Sequence, residues 1–198
     1  MYASFPQVVF GFHGCDRKVG EAIIAGKMTL AASKNTHDWL GSGIYFWENA
    51  PARALAWAKE CRNNLHLTSG KVTDPFVIGA IIDIGHCLNL TDPQYVDVIS
   101  DAYELVEKSY CLANLELPQN IDKRKELDCL VINAAITQNR RNNYEAFDTV
   151  RGAYIEGEPI YRGATLYAQT HIQLCVRNPN CIKGYFNPLE AVDEFPIP

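Results

Sequence analysis

The sequence has little that would carry it into a membrane or out of the cell. Its longest apolar run, residues 76–84, is far shorter than the roughly 20 residues a bilayer-spanning helix needs, and it contains Asp83. The opening residues MYASFPQVVFGFHGC show no basic stretch followed by an apolar one, so no secretory leader is expected and the chain is read as cytoplasmic. C-x-x-C is missing among the seven cysteines, at 15, 61, 87, 111, 129, 175 and 181, and their spacing fits no zinc finger or ribbon. An odd number of scattered cysteines reads as reduced and mostly core, with no metal site expected. Basic charge is short as well: 18 Lys+Arg against 23 Asp+Glu leave −5. That balance argues against a protein held to nucleic acid mainly by neutralising phosphates. Internal repeats and low-complexity runs are absent, and 13 Gly with 10 Pro exclude collagen and disordered classes. What remains is a chain of 198 residues, 47% of them apolar, which reads as one domain over 1–198 able to bury a core without a staple.

The pattern along the chain is strands at both ends with helices between. Residues 8–12 are β-branched and aromatic and predict a strand; 18–25 predict a short helix stopped at Gly26. A short strand is expected at 28–31, a polar loop at 33–40, then Gly41-Ser42-Gly43 opening a strand at 44–46. Pro51 suits the first turn of a helix running to about 64, with Ala54, Trp57, Ala58 and Cys61 on one face. Turns at Ser69-Gly70 and Asp74-Pro75 lead into the apolar run at 76–84, which suits a buried strand. Asp92-Pro93 starts a helix whose expected buried face is Val96, Ile99, Tyr103, Val106 and Tyr110. The next helix is marked by Leu127, Leu130, Val131, Ala134 and Ala135. Strands are then expected at 161–167, 171–176 and 182–186. The fold class is therefore α+β, with a helical insertion at about 92–143.

Three short stretches carry chemistry. Phe12-His13-Gly14-Cys15 ends the first strand with a histidine followed by a residue that lets a ligand approach the backbone. Gly41-Ser42-Gly43-Ile44-Tyr45-Phe46 would let a planar group lie against Tyr45. In His171-Ile-Gln-Leu-Cys-Val-Arg-Asn-Pro179, alternation places His171, Gln173 and Cys175 on one side of a strand.

Together these segments resemble the NAD site of ADP-ribosyltransferases of the diphtheria-toxin and poly(ADP-ribose) polymerase type. The resemblance is strong over 10–60, weak in the middle helices and recoverable at 161–187. It implies a split antiparallel sheet around an NAD cleft, with NAD as co-substrate. Carried over, His13 would bind the adenosine ribose and the Gly14 backbone the nicotinamide carboxamide. Ser42 and Gly43 would line the cofactor, and Tyr45 would stack on the nicotinamide. The family's late-strand Glu falls, counted back from Asn178-Pro179, on Gln173, so the triad implied is His13, Tyr45 and Gln173.

The departures have physical consequences. Breaking the nicotinamide–ribose bond develops a cation that a carboxylate stabilises; Gln173 accepts a hydrogen bond but has no charge to offset it. Glu156 and Glu158, in the loop that the resemblance turns toward the acceptor, are the acids placed to stand in, although their plainer reading is as solvated loop charges. Where the family has a Ser and a second Tyr in the following helix, this chain has Arg53 and Ala56, with Trp57 next door. Arg53 is assigned to a phosphate and Trp57 to the nicotinamide. Asn35, His37, Asp38 and Trp39 fall in the loop that covers the NAD in the family. The implied activity is transfer of ADP-ribose from NAD to a macromolecular acceptor, protein or RNA. A toxin or phage-defence role with an antitoxin or regulatory partner, and no membrane, goes with it. NAD hydrolysis and a binding module that has lost catalysis are the alternatives.

Overall fold

The computed structural model describes residues 8–68 and 70–190; the leader expectation at the N-terminus in part, and Ser69 of the expected turn, lie outside the described residues. Strand β1 (Val8–Asp16) runs into helix α1 (Arg17–Ile24), where the Asp16 side chain caps the helix by accepting from Lys18 N. β2 (Ile44–Glu48) leads to α2 (Pro51–Asn63), and β3 (Pro75–Asp83) to the short β4 (Cys87–Asn89). The inserted region holds α3 (Val96–Leu112), a ribbon of β5 (Asn120–Ile121) and β6 (Arg124–Lys125), and α4 (Glu126–Arg141). Then β7 (Thr149–Tyr154), β8 (His171–Val176) and β9 (Ile182–Phe186) complete the elements of the described residues.

The architecture is α+β. Seven strands form a mixed, mostly antiparallel sheet in the order β4-β7-β8-β2-β1-β3-β9, with β4 and β7 the parallel pair. β1 pairs with β3 along its whole length, from Val8 opposite Asp83 to Asp16 opposite Pro75. With β2 it pairs only at Gly11–Glu48 and Phe12–Trp47. The sheet is thus continuous but pinched at its middle, between a four-stranded and a three-stranded part.

Both faces are covered. On one, Ile44, Phe46, Ala80, Ile82, Leu174 and Val176 pack together. On the other, Leu40, Leu88, Ile132, Ile136, Val150 and Cys175 join the sheet to α4. Each fully buried Leu, Ile or Phe here contributes about 1.5–3 kcal/mol of transfer free energy. No helix of the described residues is long and apolar enough to cross a membrane. All seven cysteines are free, and only Cys111 is exposed.

Several expectations need correction. The strand expected at 28–31 is absent; that stretch is irregular, and only Ser33 bridges to Gly43. Residues 161–167 form a turn through Gly163, at φ +83°, with Tyr161 and Leu166 exposed and no sheet neighbour for either. The strand at β7 was not expected because Arg151-Gly152 interrupts its apolar pattern. Arg151 is neutralised by a bidentate pair with Glu48, at 2.6 and 2.9 Å. The face of α3 also differs: Ala102 and Val106 are buried, with Val98 and Ile99 partly so, while Val96 is exposed.

Candidate functional site

His13, Tyr45 and Gln173 lie on three adjacent strands, β1, β2 and β8, around the pinch. Their side chains do not converge on one point. Phe12 sits opposite Trp47, so His13 falls on the other side of the sheet, beside the Phe46 ring at 5.9 Å. Its Nδ1 donates to the Tyr45 carbonyl at 2.8 Å. A carbonyl only accepts, so the neutral ring carries its proton on Nδ1 and Nε2 keeps a free lone pair. Burial lowers the imidazole pKa, against the raising influence of that carbonyl.

Tyr45 is on the Gln173 side, but its hydroxyl is used internally. It donates to Gly41 O at 2.7 Å and accepts from Leu40 N at 3.0 Å, fastening the 40–43 loop. Burial pushes the phenol well above its ordinary pKa. Ser42 contributes its backbone: its N–H reaches Asn133 Oδ1 at 3.2 Å and its carbonyl accepts from Arg177 at 2.6 Å. Gly14 and Gly43 serve close packing. A Cβ on Gly14 would strike the Ala54 carbonyl of α2, and one on Gly43 would strike Cys175 Sγ. The approach expected of a ligand at Gly14 is made by a helix.

The chemistry gathers instead around Gln173. Gly152 is opposite Gln173, and its missing Cβ leaves room for the Trp39 indole, which would otherwise be met at 2.7 Å. Trp39 Nε1 then donates to Gln173 Oε1 at 2.5 Å. From Trp39 a row of rings crosses the sheet: Tyr154 at 5.0 Å, His171 at a further 5.7 Å, Trp47 at 6.2 Å and Trp57 at 6.0 Å. Trp47 and His171 are buried, whereas Trp39, Tyr154 and Trp57 are half-buried and offer ring surface. The ring beside Trp57 is therefore Trp47, where the resemblance put Tyr45.

Arg53 lies over Trp47 at 5.6 Å and pairs with Glu156 at 2.5 Å, with side chains 12% and 14% exposed. Lys123 joins the same carboxylate at 3.6 Å. Glu156 is thus drawn inward, contrary to its reading as a solvated loop acid, while Glu158 remains exposed. Arg53, expected on a phosphate, has a carboxylate partner. His171 Nδ1 donates to Gln169 O at 2.6 Å, which leaves Nε2 as an acceptor. Burial first, and Arg53 in part, hold its pKa down, against the Gln169 carbonyl and Glu156. Three buried polar atoms of this cluster have no partner: Trp47 Nε1, Arg53 Nε and His171 Nε2. Two donors and one acceptor left unsatisfied side by side suit a polar group or a water lodged among them.

Trp47, Tyr154 and His171 were not assigned a role from sequence, and Trp39 was given only a place in the covering loop. The alternation that put His171 beside Gln173 could have found one of them; Tyr154 was hidden with β7. In the covering loop, Asp38 accepts from Ser33 Oγ and Cys129 donates to the Asn35 carbonyl, so that loop is tied to itself and to α4. A cavity of about 520 Å³ lies between α3 and α4 and meets this cluster at Trp39. No group of three or more His, Cys, Asp or Glu among the described residues is placed to hold a metal ion.

An uncharacterized protein of Methanocaldococcus jannaschii is 27% identical over 206 aligned residues, covering 94% of this chain and 91% of its own. No family model matches the chain, and no solved structure matches it.

Proposed function

We propose that this chain is an NAD-dependent ADP-ribosyltransferase of the kind its sequence resembles, with an ADP-ribosyltransferase-like fold split at the β1–β2 pinch. The observation that carries the reading is the placement of His13, Tyr45 and Gln173 on three neighbouring strands at that pinch. The row of aromatic rings and the unpaired Trp47, Arg53 and His171 atoms beside Gln173 support it, since a nicotinamide ribose offers a planar ring and several hydrogen-bonding groups. In this reading Gln173, oriented by Trp39, accepts from a ribose hydroxyl. His13, across the sheet from Gln173, is left out of that contact, and its expected bond to the other ribose has no part in this reading. The bond between nicotinamide nitrogen and ribose C1′ breaks, its electron pair leaves with nicotinamide, and the acceptor nucleophile attacks C1′ and loses its proton. Glu156 is the carboxylate within the cluster, and it acts on the cation only after parting from Arg53.

One observation favours a second reading. Gln173 is neutral and Glu156 is already neutralised by Arg53 and Lys123, as in a module that binds NAD or ADP-ribose without cleaving it. Incubation with NAD labelled in the adenylate, with nicotinamide release measured beside label transfer, separates the two. Gln173→Glu is expected to raise nicotinamide release, because a carboxylate strengthens its interaction as the cation forms. Binding of NAD without nicotinamide release from wild type or from Gln173→Glu refutes the transferase and supports the module. If Glu156→Gln abolishes release while Gln173→Ala does not, Glu156 carries the charge and the role given to Gln173 is wrong.

A further inference from the structure

We propose that the groove between α3 and α4 docks a basic, amphipathic segment of a protein; resting on the transferase reading, that segment belongs to the acceptor. The groove encloses about 520 Å³, within the range of roughly 300–1,000 Å³ common for binding pockets. Its walls are apolar and aromatic: Trp39, Tyr95, Val96, Ile99, Tyr103 and Val131 face it. The charged groups in the lining are Asp92 and Asp128; no Lys or Arg is among them.

The acidic character extends beyond the cavity. Asp97, next to Val96 on the exposed side of α3, forms no ion pair among the described residues, whereas Asp101 lies round the helix, away from the groove. Glu104, further along α3, is paired with Lys108 at 3.1 Å and adds no free charge. A floor that takes apolar side chains, with Asp92 and Asp128 in its lining, Asp97 beside it and no Lys or Arg among the lining residues, matches a chain segment carrying both apolar and Lys or Arg residues. The same carboxylates repel phosphates, which turns the choice of acceptor class away from RNA. Location links the groove to the chemistry. Its inner wall is Trp39, whose N–H holds Gln173, so a segment seated there ends beside the reacting side chain.

The test uses the whole chain and three probes. One is a synthetic helical peptide with Leu at i, i+3, i+4 and i+7 and Lys between; the second replaces Lys by Glu; the third is a single-stranded RNA of similar length. By calorimetry the Lys peptide is expected to bind at least tenfold more tightly than either other probe, and more weakly as salt rises. Val96→Lys with Ser100→Lys changes two exposed groove positions without touching the core. The double variant should lose at least tenfold in Lys-peptide affinity while its melting temperature and its nicotinamide release without peptide stay as in wild type. Equal binding of the three probes, RNA preferred, or a variant that binds as wild type overturns the proposal. So does a wild-type dimer that the double variant dissociates, because the occupant is then a second copy. Peptide binding with no nicotinamide release by wild type supports the docking site and counts against the transferase reading and its acceptor clause alone. Peptide that binds but stays unlabelled while NAD is consumed overturns that clause.

Discussion

Replacing Asp16 tests how the strand carrying His13 and Gly14 is held. Asp16 is 7% exposed and its carboxylate accepts four hydrogen bonds. Oδ2 receives Thr73 N at 2.8 Å, Thr73 Oγ1 at 2.8 Å and Asp74 N at 3.1 Å; Oδ1 receives Lys18 N at 3.1 Å and so caps α1. Asp16→Ala removes the cap, worth about 1 kcal/mol. It also takes the acceptor from the Thr73 and Asp74 N–H groups, at about 1 kcal/mol for each hydrogen bond lost, for a total near 3 kcal/mol. In a chain of this length that lowers the melting temperature by about 6–12 °C. Asp16→Asn keeps one oxygen for Thr73 and Asp74 but turns an NH₂ toward Lys18 and loses the charge, so about 2 kcal/mol is expected. The pH dependence has a fixed sign. The Thr73 and Asp74 backbone donors depress the Asp16 pKa below its ordinary value of 3.8, so its stabilisation is present above that value and fades as pH falls. By pH 3 the gap between wild type and Asp16→Asn should narrow by about 1 kcal/mol, the linkage expected when only the unfolded carboxylate has begun to protonate. Urea unfolding at pH 7 and pH 3 measures both. A variant within about 0.5 kcal/mol of wild type at pH 7, or a gap unchanged at pH 3, refutes the account.

Gly43→Ala should destabilise the fold severely, because its Cβ would meet Cys175 Sγ and, at 2.8 Å, the Val176 carbonyl; Gly184→Ala, with open space around it, is the control, and soluble yield with melting temperature compares them. Tyr45→Phe loses the bonds to Gly41 and Leu40, so about 1–3 kcal/mol is expected by chemical denaturation, with faster hydrogen exchange at Leu40. Thiol labelling of the native protein should modify Cys111 first and leave Cys175 untouched until unfolding, since burial pushes the Cys175 thiol up to about 12. Cys111→Ser removes the fast phase if this is right.

The amino-acid sequence by itself determined the α+β class and most of the elements that hold the site. β3 is an apolar run bounded by turns, β8 alternates its polar and apolar residues, and α2 begins at a proline; such local patterns are legible because they lie within the element they form. Gln173 and His171 were assigned a common strand face by alternation alone, and they keep it. Tertiary structure alone decided which side chains meet. β7 is a strand because Glu48, far away in sequence, neutralises Arg151 and because Trp39 fills the space above Gly152. Glu156 is drawn inward because Arg53 lies over Trp47 with a charge to satisfy. Residues 161–167 have the composition of a strand but pair only with the residues just before them, through a single Pro159–Tyr167 bridge, and they remain a turn. Tyr45 and His13 belong to neighbouring strands, yet the register that sets Phe12 against Trp47 sends them to opposite sides. Pairing register and long-range charge compensation are properties of two segments at once, and no single stretch of sequence contains them.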